Sequence, residues 1–268
     1  MNGTGPALYR HPLSAAQRLP MDLYASLDGP TPRYPPDPHP EAILLDSGNT
    51  LVFADRERMG RIYESAGVPW DGARFVEAEL TARENLARRV QEGHVGTEPH
   101  LWREYFLEIF RRTRVPTHVV DQVGDRLVQE HERDHLWTHV EDGTAEALEG
   151  LVQRGYRVGV ISNADGRMED VLVRAGLREL VEFVLDSQVV GMEKPDPAIF
   201  HAGADRMGVP SRLCLYVGDL YPVDVVGARQ AGMSALLLDP ALRLTFPVDR
   251  IRSVQELPQY LDSVKGRD

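Results

Sequence analysis

Ala42-Ile43-Leu44-Leu45-Asp46-Ser47-Gly48-Asn49-Thr50 joins four apolar residues to a polar turn cluster. A short continuous apolar run closed by turn residues reads as a strand buried on both faces that ends in a loop. Four more such runs lie downstream: Tyr156 to Ile161, Phe183 to Leu185, Leu213 to Val217 and Ala235 to Leu238. Helix-like segments alternate with them, at Thr144 to Gln153, Arg167 to Ala175, Pro197 to Met207 and Val223 to Gln230. Strands alternating with helices of this length predict an α/β protein, a doubly wound parallel sheet covered on both faces.

Between about Asp55 and Leu136 the pattern changes. Phe75, Ala78, Ala82, Leu86 and Val90 fall on one helical face, and Trp102, Tyr105, Phe106, Ile109 and Phe110 on another. These aromatics read as a small helical core. The expected organisation is an α/β core formed by 41–54 and 139–268, with an all-helical insert at 55–138. Residues 1–40 hold 9 of the 19 prolines and show no apolar period. They read as a disordered or extended arm.

Composition sets outer bounds. The 268 residues are 42% hydrophobic and 26% charged, the balance of an ordinary globular chain. No apolar run approaches the roughly 18–20 residues of a membrane span, and the first residues lack the apolar stretch of a secretory signal. A net charge of −11 argues against nucleic acid and anionic lipid as partners. The single cysteine, Cys214, excludes an intrachain disulfide and a thiolate metal cluster, and reads as a small buried hydrophobe. A cytoplasmic protein, monomeric or homodimeric, is expected.

Open parallel sheets bind ligands beyond the carboxyl ends of their strands. Asp46 to Thr50 stand at the first such end, Ser162-Asn163 at the second, Lys194 after the third, and Gly218-Asp219 at the fourth with Asp224 five residues on. Clustered carboxylates suit a hard divalent cation, Mg²⁺ above all. A cation, a lysine and a hydroxyl together suit a phosphate, so a small phosphorylated molecule is the expected ligand. The chain's 30 basic residues include only two lysines, Lys194 and Lys265. The one lysine in the body thus stands where a compact ammonium would meet a phosphate, a place the larger guanidinium fork does not fit equally well.

This set resembles the haloacid dehalogenase superfamily, whose phosphatases show Asp-x-Asp-x-Thr, then Ser/Thr, then Lys, then Gly-Asp-x(3–4)-Asp. The likeness runs from about Ala42 to Asp239, and the insert resembles that superfamily's helical cap. It implies a Rossmann-like core and hydrolysis of a phosphoric monoester. Asp46 would be the nucleophile that forms an aspartyl-phosphate and would also bind Mg²⁺. The Gly48 carbonyl would be a second metal ligand, Asp219 a direct one, and Asp224 would bind through water or orient Lys194. Ser162, the backbone near Asn163, Asn49 and Lys194 would hold the phosphate, Lys194 also neutralising Asp46. The cap would select the substrate.

One position departs from the pattern. The family's phosphatases carry a second aspartate two residues after the nucleophile, where this chain has Gly48. That residue protonates the leaving oxygen and activates water; losing a positioned acid/base costs on the order of 10²–10⁴ in rate. Three readings stay open. The first is a phosphatase limited to good leaving groups such as acyl or aryl phosphates, or aided by a cap residue such as His94 or His100. The second is a 2-haloacid dehalogenase, disfavoured because Asp219 is kept. The third is a catalytically impaired protein that binds a phosphorylated ligand or a partner. The cap has no lysine, which separates the chain from the phosphonate-cleaving branch.

Two smaller signals remain. His131-Glu132-Arg133-Asp134-His135 fits the zinc-protease pattern His-Glu-x-x-His. Its charged neighbours and the lack of an obvious third ligand read as solvated cap surface. Asp196-Pro197 reads as a helix start, a capping carboxylate followed by proline in the first turn.

Overall fold

The computed structural model describes residues 39–91 and 99–265. The proline-rich arm lies outside them except for its last two residues. Strand β1 is Ala42–Leu45, as the opening run predicts, and each of its side chains is buried. The chain continues through β2 (Phe53–Ala54) into α1 (Arg56–Ser65), α2 (Gly72–Gln91), α3 (Pro99–Arg112) and α4 (Val120–Arg133). It returns through β3 (Trp137–His139), which pairs with β2. There follow α5 (Thr144–Gln153), β4 (Arg157–Ser162), α6 (Met168–Arg174), β5 (Val184–Asp186) and the short α7 (Ser187–Val190). Last come α8 (Pro197–Met207), β6 (Cys214–Gly218), α9 (Val226–Gln230), β7 (Ser234–Leu238), β8 (Arg250–Ile251) and α10 (Leu257–Lys265).

Six strands form a sheet in the order β5-β4-β1-β6-β7-β8, and every neighbouring pair is parallel. The strand order reverses around β1, so the crevice of a doubly wound sheet opens beside its carboxyl end. One face packs against α5, α6 and α10, with Ile43, Val158, Leu148, Leu151, Val171, Leu172 and Leu261 in a single apolar cluster. The other face carries α8. A Cβ on Gly203 of that helix would lie 2.6 Å from Ile161 Cδ1 and 3.4 Å from Leu44 Cδ1, so glycine is what lets α8 rest on β4 and β1. Asp196 caps α8 by accepting the Ala198 N–H, with Pro197 in the first turn, as read from the sequence. The five expected strands are all present. Strand β8, α10 and the β2–β3 pair are additions.

The described residues fall into two compact units, 54–136 and 39–53 with 137–265. The first is helical. Phe75, Ala78, Ala82 and Leu86 are buried as their spacing predicts, and so are Tyr105, Ile109 and Phe110. The side chains of Val90 and Trp102 lie outside the described residues. Tyr63 sits among aromatic rings, edge-on to Trp70 at 5.2 Å, Phe75 at 6.4 Å and Phe110 at 6.2 Å. Arg58 is buried beside the end of α4, where it donates to the Glu130, Asp134 and His135 carbonyls and to the Asp134 carboxylate.

The His131–His135 segment differs from its sequence reading. Helix α4 ends at Arg133 and Asp134 is extended (φ −158°, ψ 128°), so the two histidines do not share one helical face. His135 is buried rather than solvated. Its ring lies 4.5 Å from that of His131, whose Nδ1 accepts the Leu136 N–H.

Candidate active site

Register assembles the site. Leu45 pairs with Val160 on one side and Val217 on the other, so the ends of β4, β1 and β6 lie abreast. The Asp46 N–H donates to the Val217 carbonyl at 2.8 Å, so Asp46 stands just past the carboxyl end of β1. Ser47 turns inward and donates its hydroxyl to Met168 Sδ. At Gly48 an added Cβ would meet nothing within 4 Å. Asn49 takes a left-handed conformation (φ 55°), its N–H bound to the Val52 carbonyl. Its side-chain oxygen accepts from Trp137 Nε1 at 3.4 Å, so that oxygen serves the β1–β2 turn. The Thr50 hydroxyl is buried with no hydrogen-bond partner among the described residues.

Lys194 is the centre of the cluster. Only 2% of it is exposed, yet its ammonium has three partners: Asp46 Oδ1 at 2.6 Å, Asp224 Oδ1 at 2.7 Å and the Tyr216 hydroxyl at 2.9 Å. Its peptide is braced by Asn163, whose Nδ2 donates to the Lys194 carbonyl and whose Oδ1 accepts the Lys194 N–H, both at 2.8 Å. The Asn163 side chain is therefore engaged with the lysine loop, and the phosphate contact expected at this position is one for the backbone near it. Ser162 is buried at the end of β4, in register with Asp186. The Asp186 carboxylate ties down the loop after β4, accepting the N–H groups of Gly166 and Met168, and caps α7 through the Gln188 N–H.

Asp219 follows β6 directly and is buried. Asp224 lies in a π-helical turn, Tyr221–Val225, a local widening that often marks functional sites. Its Oδ2 accepts the Leu220 N–H at 2.9 Å, which leaves Oδ1 for the lysine. Asp46, Asp219 and Asp224 can each offer one oxygen within 4.8 Å of the others. Burial, with Asp224 and Asp219 adding to it, pushes the Asp46 carboxyl up to about 7 despite the lysine beside it. Burial also pulls the Lys194 ammonium down, but Asp224 and then Asp46 outweigh it and hold the group well above the ordinary lysine range.

Asp46, Asp219 and Asp224 are three buried carboxylates whose oxygens lie within reach of one another. Clustered hard oxygen donors are the ligand set of a hard dication, so the residues present fit Mg²⁺.

The structure thus brings together Asp46, Lys194, Asp219 and Asp224, with Gly48 beside the first and Ser162 at the end of the neighbouring strand. Asn49 and Asn163 stand near, with the Asn49 oxygen and both polar atoms of the Asn163 side chain engaged by the protein. His94 lies outside the described residues, and so does the side chain of His100. Sequence reasoning missed Tyr216 and Asp186. A tyrosine inside the otherwise apolar run Cys214-Leu215-Tyr216-Val217 was the available signal, because a buried phenol needs a hydrogen-bond partner.

Comparison with known proteins bears on this arrangement. Residues 40–232 match a family model of hydrolases described as haloacid dehalogenase-like hydrolase. Haloacid dehalogenase-like hydrolase domain-containing protein 3 of Mus musculus is 36% identical over 178 residues, 63% of this chain and 70% of that protein. The glyceraldehyde 3-phosphate phosphatase of Methanothermobacter thermautotrophicus is 38% identical over 100 residues, 37% of this chain and 44% of that protein. Among solved structures, the magnesium-bound HAD-hydrolase YfnB of Bacillus subtilis aligns with a TM-score of 0.59 at 18% identity, over 84% of this chain and 99% of that one. The last likeness speaks for the fold.

Proposed function

Because the chain belongs to the haloacid dehalogenase-like hydrolases, we propose that it is a Mg²⁺-dependent phosphatase acting on a small phosphorylated molecule, by way of an aspartyl-phosphate on Asp46. The observation that carries this reading is the Lys194 ammonium seated between Asp46 and Asp224, with Asp219 in the same carboxylate cluster. The phosphatase name of a relative matched over 100 residues supports it.

The chemistry follows from the residues. A carboxylate oxygen of Asp46 attacks phosphorus while the bond to the leaving oxygen breaks, and the leaving group departs with that electron pair. Water then attacks the phosphorus of the aspartyl-phosphate, the bond to Asp46 breaks, and orthophosphate leaves. Lys194 neutralises the phosphoryl oxygens and keeps Asp46 oriented. Ser162 donates its hydroxyl to one of those oxygens. Asp46, Asp219, Asp224 and the Gly48 carbonyl would hold Mg²⁺, which supplies positive charge to the phosphoryl group when bound. Asn163 acts by fixing the lysine loop and Asn49 by fixing the turn after Asp46.

Gly48 shapes the substrate range. No side chain at that position protonates the leaving oxygen, so groups that leave as stable anions are favoured, acyl and aryl phosphates before alkyl ones. The same glycine favours a second reading, a protein that binds a phosphorylated ligand and turns it over at background rate. A phosphate-release screen over acyl, aryl and alkyl phosphates, with and without EDTA, tests both. Metal-dependent release abolished by Asp46→Asn supports the phosphatase. Metal-dependent binding without release supports the second reading, and halide release from a 2-haloacid in EDTA would overturn both.

A further inference from the structure

The ammonium of Lys194 carries three hydrogens and no lone pair, so a fully satisfied group needs three acceptors. Two are carboxylate oxygens of the cluster. The third is the phenolic oxygen of Tyr216, at 2.9 Å. The direction of that contact is fixed by the phenol's other bond. Tyr216 donates its own hydrogen to the Ile161 carbonyl at 3.0 Å, so an oxygen lone pair is what faces the lysine. The ring cannot easily swing away. It is 0% exposed in the middle of β6 and meets Phe200 edge-on, centroids 4.9 Å apart at 75°.

We propose that Tyr216 is a positioning residue for Lys194: its hydroxyl takes the third ammonium hydrogen and so aims the other two at Asp46 and Asp224. A lysine stem has several rotatable bonds, and two acceptors alone leave the head free to slide between them. The third acceptor stands on a different strand from Asp46 and pins the head from the side. Removing the hydroxyl leaves a buried N–H without a partner, and the ammonium shifts to find one. This rests on reading the cluster as a phosphoryl-transfer site only for its effect on rate. The effect on the lysine itself is independent of it.

The sequence supplies an unusually clean probe, since the chain has only two lysines. In protein labelled with ¹⁵N-lysine, the side-chain ammonium spectrum should hold one slowly exchanging signal from buried Lys194 and one fast one from Lys265, assigned by Lys194→Met. In Tyr216→Phe the Lys194 signal should move, and its hydrogens should exchange at least about tenfold faster, while Lys265 stays unchanged. With p-nitrophenyl phosphate and Mg²⁺, kcat should fall about tenfold while KM, the Mg²⁺ half-saturation and the melting temperature hold nearly constant. If Tyr216→Phe fails to fold, 3-fluorotyrosine at 216 keeps the packing and weakens the acceptor, and its exchange rate should lie above that of wild type.

A Lys194 signal unchanged in position and exchange in the variant that folds overturns the proposal. So does an altered signal with kcat within twofold of wild type in an active enzyme. A wild-type protein that releases no phosphate from any substrate counts against the phosphatase reading alone, because the spectrum is read without turnover.

Discussion

A methyl group placed on Gly218 would come within 2.4 Å of the Asp224 carboxyl carbon. The two residues are six apart in sequence, yet the strand end and the π-helical turn press them together. Glycine at 218 is therefore the room in which Asp224 reaches Lys194. Gly218→Ala should displace the carboxylate and cost about 1–3 kcal/mol of stability by overpacking. Phosphatase activity should drop by at least about tenfold. Thermal melts and steady-state kinetics on one preparation check both; a variant with full activity would mean that Asp224 can do its work from another position.

At Gly48 the opposite holds. A Cβ there meets nothing within 4 Å, and φ is not in the left-handed region, so a side chain is sterically admissible. Gly48→Asp should leave the fold intact and raise turnover of alkyl phosphates by about 10²-fold, with a smaller gain on aryl phosphates that already leave well. The comparison of the two substrate classes is the measurement. An equal change on both, or none on alkyl esters, would show that proton delivery is not what this site lacks.

Asn163 makes a reciprocal pair with the peptide of Lys194. Asn163→Ala removes both bonds and should destabilise by about 1–3 kcal/mol, with a fall in kcat as the lysine loop loosens. Asn163→Asp keeps the acceptor for the Lys194 N–H but loses the donor to its carbonyl. It sets a carboxylate oxygen against the Lys194 carbonyl oxygen, so it should be no more stable than the alanine variant, as denaturant unfolding of the two variants and wild type will show.

The Asp46 carboxyl, held up at about 7 chiefly by burial, sets a sign for pH. A cation needs the carboxylate form, so below that value protons compete with it. The melting-temperature increase given by a fixed Mg²⁺ concentration should be large at pH 8 and small at pH 6. The metal-free protein runs the other way. A carboxyl whose folded value lies above its unfolded one favours the folded state most at low pH, and that contribution fades as pH rises toward 7. Scanning calorimetry with Mg²⁺ and with EDTA across pH 5.5–8.5 reads both trends.

Much of this was legible from residue order. Ala42–Leu45 announces a doubly buried strand because it has no polar face, and Asp46 must then project from its end. Lys194 stands out because the chain otherwise uses arginine. What stayed hidden depends on contacts between distant segments. Tyr216 looks like one more apolar strand residue until β4 and the Lys194 loop are set around it. The direction of the Asn163 side chain is decided by a peptide 31 residues away, which residue order does not reveal. Arg250–Ile251 is too short to carry a period, and becomes a strand only because β7 offers an open edge.

Lys194 is sealed in its carboxylate nest, whereas Lys265 is exposed on the last helix. Amine-directed reagents such as succinimidyl esters will therefore find a single accessible lysine side chain. A fluorophore or a surface tether attached at Lys265 leaves the reaction centre chemically untouched.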